Sequence, residues 1–471
     1  MKIAFVPIDN RPVCYTLPKI IAGIDEKIEF FIPQREDLGD LQKYADIENL
    51  FKWLENLPTL DAIVISLDTL AYGGLIPSRR CPETFDEIKN RIENLKEILI
   101  KKNAKIYAFS SIMRISNNNY NEEEKEYWST WGKKIFEYSF NSHKFNNKDA
   151  YINDIPKEIL EDYLTTRKRN FEINKIYLEW QKEGLFDTLI FSKDDCAEFG
   201  LNVQEANALG ALGGFTKTGA DEIPLSLLSR AIEGELKVCP IFLEPEYKNL
   251  ISNYEDISIE KSVLGQLEIA NCTVTDEKNA DLLLYINNFK NKQGEIVMKV
   301  DTENFAKEFK VPNKPYMIAD VRFANGSDNK FVEELFKNKI EDDNFFGYSA
   351  WNTSANSLGS LICGAKTKFL AQKYNQNYFE KLQITRLLDD WAYQANVRQK
   401  LSSPDKKQIK IEMKPFEKKV EKVLNTQIDV KYSYPWNRLF EVEIEFNWYY
   451  TTCNSPRNWL FSCIFFPRFN F

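Results

Sequence analysis

Eight short apolar runs, most of them followed by a longer amphipathic stretch, leave this chain few folds to choose from. IAFVPI (Ile3–Ile8), IEFFI (Ile28–Ile32), AIVISL (Ala62–Leu67), KIYAF (Lys105–Phe109) and TLIF (Thr188–Phe191) come first. Val238–Phe242, Leu282–Ile286 and Tyr316–Ala319 follow. Between them, segments such as TFDEIKNRIENLKEILIKK (Thr84–Lys102) repeat apolar residues at intervals of three and four, the spacing of one helix face. This alternation predicts βα units around parallel strands, hence an α/β fold: a (β/α)-barrel-like or parallel-sheet catalytic unit.

At 471 residues the chain exceeds one small core. The strand–helix rhythm assigns residues 1–116 and 181–360 to the catalytic unit. Residues 117–180 break it with charged, helical sequence and read as a helical insertion. Residues 361–447 read as a smaller C-terminal helical and β region, with alternation in FEVEIEF near its end. The last 24 residues, 448–471, hold nine aromatic residues and no acid. They read as a non-native or frameshifted end, with a docking tail as the alternative.

The residues following the strands carry the functional signal. Ile3–Ile8 runs into Asp9, Asn10 and Arg11; Ala62–Leu67 runs into Asp68, with Tyr72 four residues on. Lys105–Phe109 leads to Arg114, Thr188–Phe191 to the adjacent pair Asp194 and Asp195, and Tyr316–Ala319 to Asp320. Ligands of α/β folds bind outside the carboxyl ends of strands, so these residues are expected to share one cavity. TGADE adds Asp221 and Glu222, although helix capping explains acids at such junctions equally well. DVRFANGSDN and FFGYSAWNTSANSLG add Asn325, Asp328, Trp351 and Asn352. Trp351 would stack on a pyranose face while the others bond hydroxyls; turn preference is the competing explanation.

The single histidine, His143, nearly excludes triads that rely on His and zinc sites built on His clusters. No GxGxxG or GxxxxGK[ST] spacing occurs, so nucleotide loops are excluded as well. Any chemistry must run on carboxylates. Two adjacent acids repel as anions, so one tends to keep a proton and can act as a general acid. A hard-cation site of the same oxygen ligands is the alternative. A formal charge of −8 speaks against nucleic acid. No apolar run approaches the length of a membrane span, no secretory leader is legible, and eight scattered cysteines read as reduced thiols of a cytoplasmic protein.

In order, the motifs resemble a bacterial family catalogued only as a domain of unknown function. They are PIDNRPV within Phe5–Val13, SLDTLAYGGLIPSR (Ser66–Arg79), YAFSSIMR (Tyr107–Arg114) and RKRNFEIN (Arg167–Asn174). DDCAEFG (Asp194–Gly200), GADE (Gly219–Glu222), DVRFANGSD (Asp320–Asp328), WNTSANSLG (Trp351–Gly359) and PWNRLFEV (Pro435–Val442) complete the pattern. The resemblance covers about residues 1–446; GYSAWNT departs from it by Ser-Ala where Ala-Gly is expected. The DD pair with the later D-x-x-x-x-N-x-x-D loop is also similar, more distantly, to O-GlcNAcase-type hydrolases. That likeness implies Asp194 as general acid/base and Asp195 as the acid orienting an acetamido group. The expectation is a glycoside hydrolase using paired carboxylates on a small or amino-sugar-bearing carbohydrate, with substrate-assisted cleavage of an N-acetyl-hexosaminide implied by that likeness, without cofactor or metal. A divalent-metal-dependent hydrolase or lyase, and a non-catalytic carbohydrate-binding protein, are the alternatives.

Overall fold

The computed structural model describes residues 1–147, 152–194, 196–338 and 343–447. Six strands form a first sheet: β1 (Lys2–Val6), β2 (Glu29–Phe31), β3 (Ala62–Ser66), β4 (Lys105–Ile112), β5 (Thr188–Lys193) and β6 (Phe215–Thr218). Their order is β2-β1-β3-β4-β5-β6, with every pairing parallel. Side chains alternate between its faces. Ala4, Val6, Ile63 and Ile65 enter one apolar cluster, and Ile3, Phe5, Ala62 and Val64 enter another. Both faces are therefore covered, which explains why these strands read as unbroken apolar runs.

Downstream come β7 (Lys237–Phe242), β8 (Thr273–Val274), β9 (Leu282–Asn287), the short β10 (Gly294–Glu295), β11 (Tyr316–Asp320), the short β12 (Phe323–Ala324) and β13 (Phe345–Ser349). Five of these make a second parallel sheet, ordered β13-β11-β9-β7-β8. An antiparallel pair, β14 (Val430–Ser433) and β15 (Glu443–Phe446), ends the described chain. The barrel alternative is thus replaced by two open parallel sheets: β2 and β6 are edges, as are β13 and β8.

Both sheets are wound alike, although no repeat is legible in the sequence. In each, the second strand lies on one side of the first and the third on the other. The chain direction therefore reverses between β1 and β3, and again between β7 and β9. Such a reversal opens a crevice at the carboxyl ends of the two strands. Helices Ile223–Ala231 and Ser354–Leu370 pack on one another, the former also against β3 and β4 and the latter against β11 and β13.

Helix ends follow local chemistry. Helix Phe85–Lys102 starts with a capping box between Thr84 and Glu87 and stops at Asn103, whose left-handed backbone an asparagine tolerates. Helices Trp128–Lys144 and Lys157–Lys182 lie in the sequence between β4 and β5. Among the described residues, no helix is long and apolar enough to cross a membrane.

Candidate active site

A cavity of about 430 Å³ opens at the crevice between β1 and β3. The residues after β1 supply Asp9 and Arg11, the helix Leu75–Arg80 after β3 supplies Arg79, and the segment after β4 supplies Arg114 and Glu123. Asp194 follows β5, Asp221 follows β6, and Asn352 reaches in from the end of β13. Trp436, Arg438 and Phe440, from the segment joining β14 to β15, form the remaining wall. Both Trp436 and Asn352 hold left-handed backbones (φ +55° each), which for a tryptophan is costly and is concentrated at working sites.

The cavity charges are organised around four guanidiniums. Arg11 donates through Nε to Asp9 Oδ2 (2.9 Å) and through Nη1 and Nη2 to Asp221 (3.1 and 2.6 Å). Arg79 Nη2 reaches Asp194 Oδ2 at 3.3 Å, and Arg114 Nη1 reaches the same oxygen at 3.6 Å. Arg114 and Arg438 both hold Glu123, at 2.8 and 2.9 Å. Against the cost of burial, Arg114, Arg79 and Arg438 keep Glu123 well below the usual carboxylate range. The Trp436 ring lies between Arg11 and Arg438, 5.1 and 5.0 Å from their guanidinium carbons, and its Nε1 donates to Asn10 Oδ1 at 2.7 Å.

Three acids crowd the one Arg11. Burial pushes the Asp221 carboxyl up against the pull of Arg11, with Asp9 and Asp194 adding to the rise. Burial likewise pushes Glu441 up to about 8, and its Oε2 has no hydrogen-bond partner. One guanidinium cannot neutralise three buried carboxyls, so this group retains a proton near neutral pH. Asp221 is the acid with a raised pKa that faces the cavity.

Of the residues expected in one cavity, the structure brings together Asp9, Arg11, Arg114, Asp194 and Asn352, with Asn10 beneath Trp436. Asp195 lies outside the described residues, as does the tail from Trp448. Asp68 and Tyr72 do not line the cavity. Strand β3 turns directly into helix Leu67–Tyr72, capped by Ser66, and both side chains point into the core. Tyr72 faces Arg169 there (5.5 Å). Asp68 accepts the Ser111 backbone N–H at 2.7 Å, behind Arg79.

Asp320 and Asp328 belong to the second sheet, fully buried. Asp320 accepts from Asn287 (2.8 Å), the Asp328 N–H (2.8 Å) and Tyr348 (2.9 Å), while Asp328 caps helix Asn329–Lys337. Asn325 donates to Glu295 at 2.6 Å. Trp351, 2% exposed, packs on Phe440 inside the core and offers no face to a sugar; the tryptophan that lines the cavity is Trp436. His143 accepts the Gly200 N–H at 3.0 Å and fixes the loop after β5.

The residues that the sequence reading did not name are Arg79, Glu123, Trp436 and Arg438 in the cavity wall, and Glu441 beside Arg11. Four of them fall inside motifs already singled out: Arg79 closes SLDTLAYGGLIPSR, and Trp436, Arg438 and Glu441 sit in PWNRLFEV. Among the described residues, no three His, Cys, Asp or Glu side chains are grouped so as to hold a metal ion. Between Asp9 and Asp221 the countercharge is the Arg11 guanidinium.

Asp68 yields a pH prediction. Burial, opposed by the Ser111 bonds and by Arg79, lifts its carboxyl from 3.8 to about 7. The folded chain holds a proton that the unfolded chain releases. Stability from this group is therefore full below pH 3.8 and lost as pH rises through 7. Asp68→Asn, which keeps an acceptor for Ser111 and cannot ionise, is expected to match the parent melting temperature at pH 3 and exceed it at pH 8. Equal pH dependence in the two proteins would show that the carboxyl is ionised throughout.

A family model described as "Protein of unknown function (DUF4127)" matches residues 3–445. No curated protein matches the chain, and no solved structure does.

Proposed function

Because the chain belongs to that family, whose description states no activity, we propose from the site alone that it is a glycoside hydrolase acting on a small carbohydrate. The supporting observation is a single cavity faced by two carboxyls, each paired with guanidiniums, one of which burial pushes up. Asp221 faces it from a buried, proton-retaining group of acids, and Asp194 faces it held by Arg79 and Arg114. Glycosidic cleavage needs this division: one carboxyl protonates the leaving oxygen and the other stabilises, or attacks, the oxocarbenium-like centre.

Asp221 is the proposed proton donor and Asp194 the anionic partner. This reverses the role that the O-GlcNAcase likeness gives Asp194, since Asp221 is the cavity acid that burial pushes up. The rest of the wall suits a polyhydroxylated substrate. Its guanidiniums are paired with acids, so none calls for an anionic ligand, while interleaved donors and acceptors beside Trp436 match sugar hydroxyls and a ring face.

The test is release of nitrophenolate from a panel of para-nitrophenyl glycosides, before and after exhaustive treatment with EDTA. Turnover of at least one glycoside, unchanged by chelation, is expected. Turnover lost to EDTA and restored by Mg²⁺ or Mn²⁺ would replace this proposal with a metal-dependent hydrolase. Sugar binding without any turnover would leave a carbohydrate-binding protein.

A further inference from the structure

Asp194, Asp221 and Asn352 line a second, smaller cavity of about 40 Å³ as well as the main one, so they stand at the boundary between the two. The small cavity lies between the ends of β5 and β6 and the start of helix Ser354–Leu370.

Its polar lining is mostly satisfied from within. Lys193 pairs with Asp256, and Thr218 donates to the same carboxylate at 2.6 Å. Thr353 Oγ1 accepts the Asn356 N–H at 3.3 Å as the helix cap. Glu255 Oε1 accepts the Ala355 N–H at 2.8 Å.

Two atoms are left over. Glu255 Oε2 and Asn356 Oδ1 have no hydrogen-bond partner, although the residues are only 6% and 7% exposed. Asn356 Oδ1 is an acceptor. Glu255 Oε2 is one whenever its carboxyl, lifted by burial to about 7 against the Ala355 N–H and the Ser262 hydroxyl, has lost its proton. Buried acceptors without a donor are costly enough to be rare. The volume holds about three water-sized groups. That suits a short substituent such as a hydroxymethyl group or an amine.

We propose that this side cavity is a subsite for a hydrogen-bond-donating substituent of the sugar ring, a hydroxyl or an ammonium group, read by Glu255 and Asn356. The assignment rests on the glycosidase reading and adds a substrate class to it. A ring held with its anomeric carbon between Asp194 and Asp221 would send one substituent into the side cavity and its leaving group into the wide one. An acetamido group is disfavoured, because its carbonyl oxygen would meet acceptors.

Glu255→Gln tests this while sparing the fold. It keeps an oxygen for the Ala355 N–H and replaces the lone acceptor with a donor. The parent and the variant are compared on para-nitrophenyl hexopyranoside, its 2-amino and 2-acetamido analogues, and the pentopyranoside that lacks the hydroxymethyl group. The parent is expected to prefer either the hexoside over the pentoside or the amino-hexoside over the hexoside by about 10- to 100-fold in kcat/KM, and the variant to lose that ratio. Which ratio collapses, hexoside or amino-hexoside, distinguishes hydroxyl from ammonium. Asn356→Asp, which keeps an acceptor, should retain it.

A ratio that survives in Glu255→Gln overturns the subsite, as does an equal loss on all substrates with a lowered melting temperature. If no glycoside is cleaved, the glycosidase reading falls, and calorimetric titration with free hexose and hexosamine decides the subsite alone. Binding that Glu255→Gln abolishes upholds it; no binding, or binding that persists in the variant, overturns it.

Discussion

Asp221→Asn is expected to lower kcat/KM for an alkyl glycoside by about 10²–10⁴-fold, the usual contribution of a positioned proton donor. The same variant should lose much less on a para-nitrophenyl glycoside, because a nitrophenolate departs without protonation. Asp194→Asn should slow both substrates alike, since stabilising positive charge at the sugar is needed whatever the leaving group. The comparison separates chemistry from structure. A role confined to holding Arg11 would depress both substrates together and lower the melting temperature. If Asp194→Asn, and not Asp221→Asn, shows the leaving-group dependence, the two roles are the reverse of those proposed.

The largest loss of stability is expected away from the cavity, at Arg322. Its fully buried guanidinium binds Asn287 Oδ1 (3.0 Å), the Glu303 carbonyl (2.9 Å) and Glu244 Oε1 (3.2 Å), and lies 3.5 Å from Asp328 Oδ2. Arg322→Met keeps the length of the side chain and removes the charge. Asp328 is then left buried without a cation, and Glu244 keeps only Lys307. Losing one partner of such a buried group costs about 3–5 kcal/mol. Urea denaturation should show this as a lower midpoint with an unchanged slope. A loss below about 1 kcal/mol would mean that water replaces the guanidinium and that the network is not sealed.

The place of this network explains what the sequence could and could not disclose. Asp9, Arg114 and Asp194 were legible because each follows a strand of the same sheet, and strand ends are local features. Asp320 ends a strand too, and nothing in its neighbourhood tells that its strand belongs to a second sheet. Asp68 misleads for a different reason. Only one residue, Leu67, separates it from β3, and the chain is already helical there, so the side chain turns inward. Trp351 and Trp436 are each followed by asparagine in their motifs, and only long-range packing decides that one is core and the other cavity wall. The Arg11–Asp221 pair spans 210 residues, a separation that no local pattern encodes.

The wall contributed by Trp436, Arg438 and Phe440 also bears on how the protein matures. Val13 donates its N–H to Glu441, and Thr16 and Arg35 both bind Glu443, so the end of the described chain is clasped to its beginning. A ribosome that has released both parallel sheets has not yet released this segment. The nascent chain can therefore bury most of its apolar surface before the cavity exists. Completion of the cavity wall is thus a late event of synthesis, reached only by chains translated through the ninth motif.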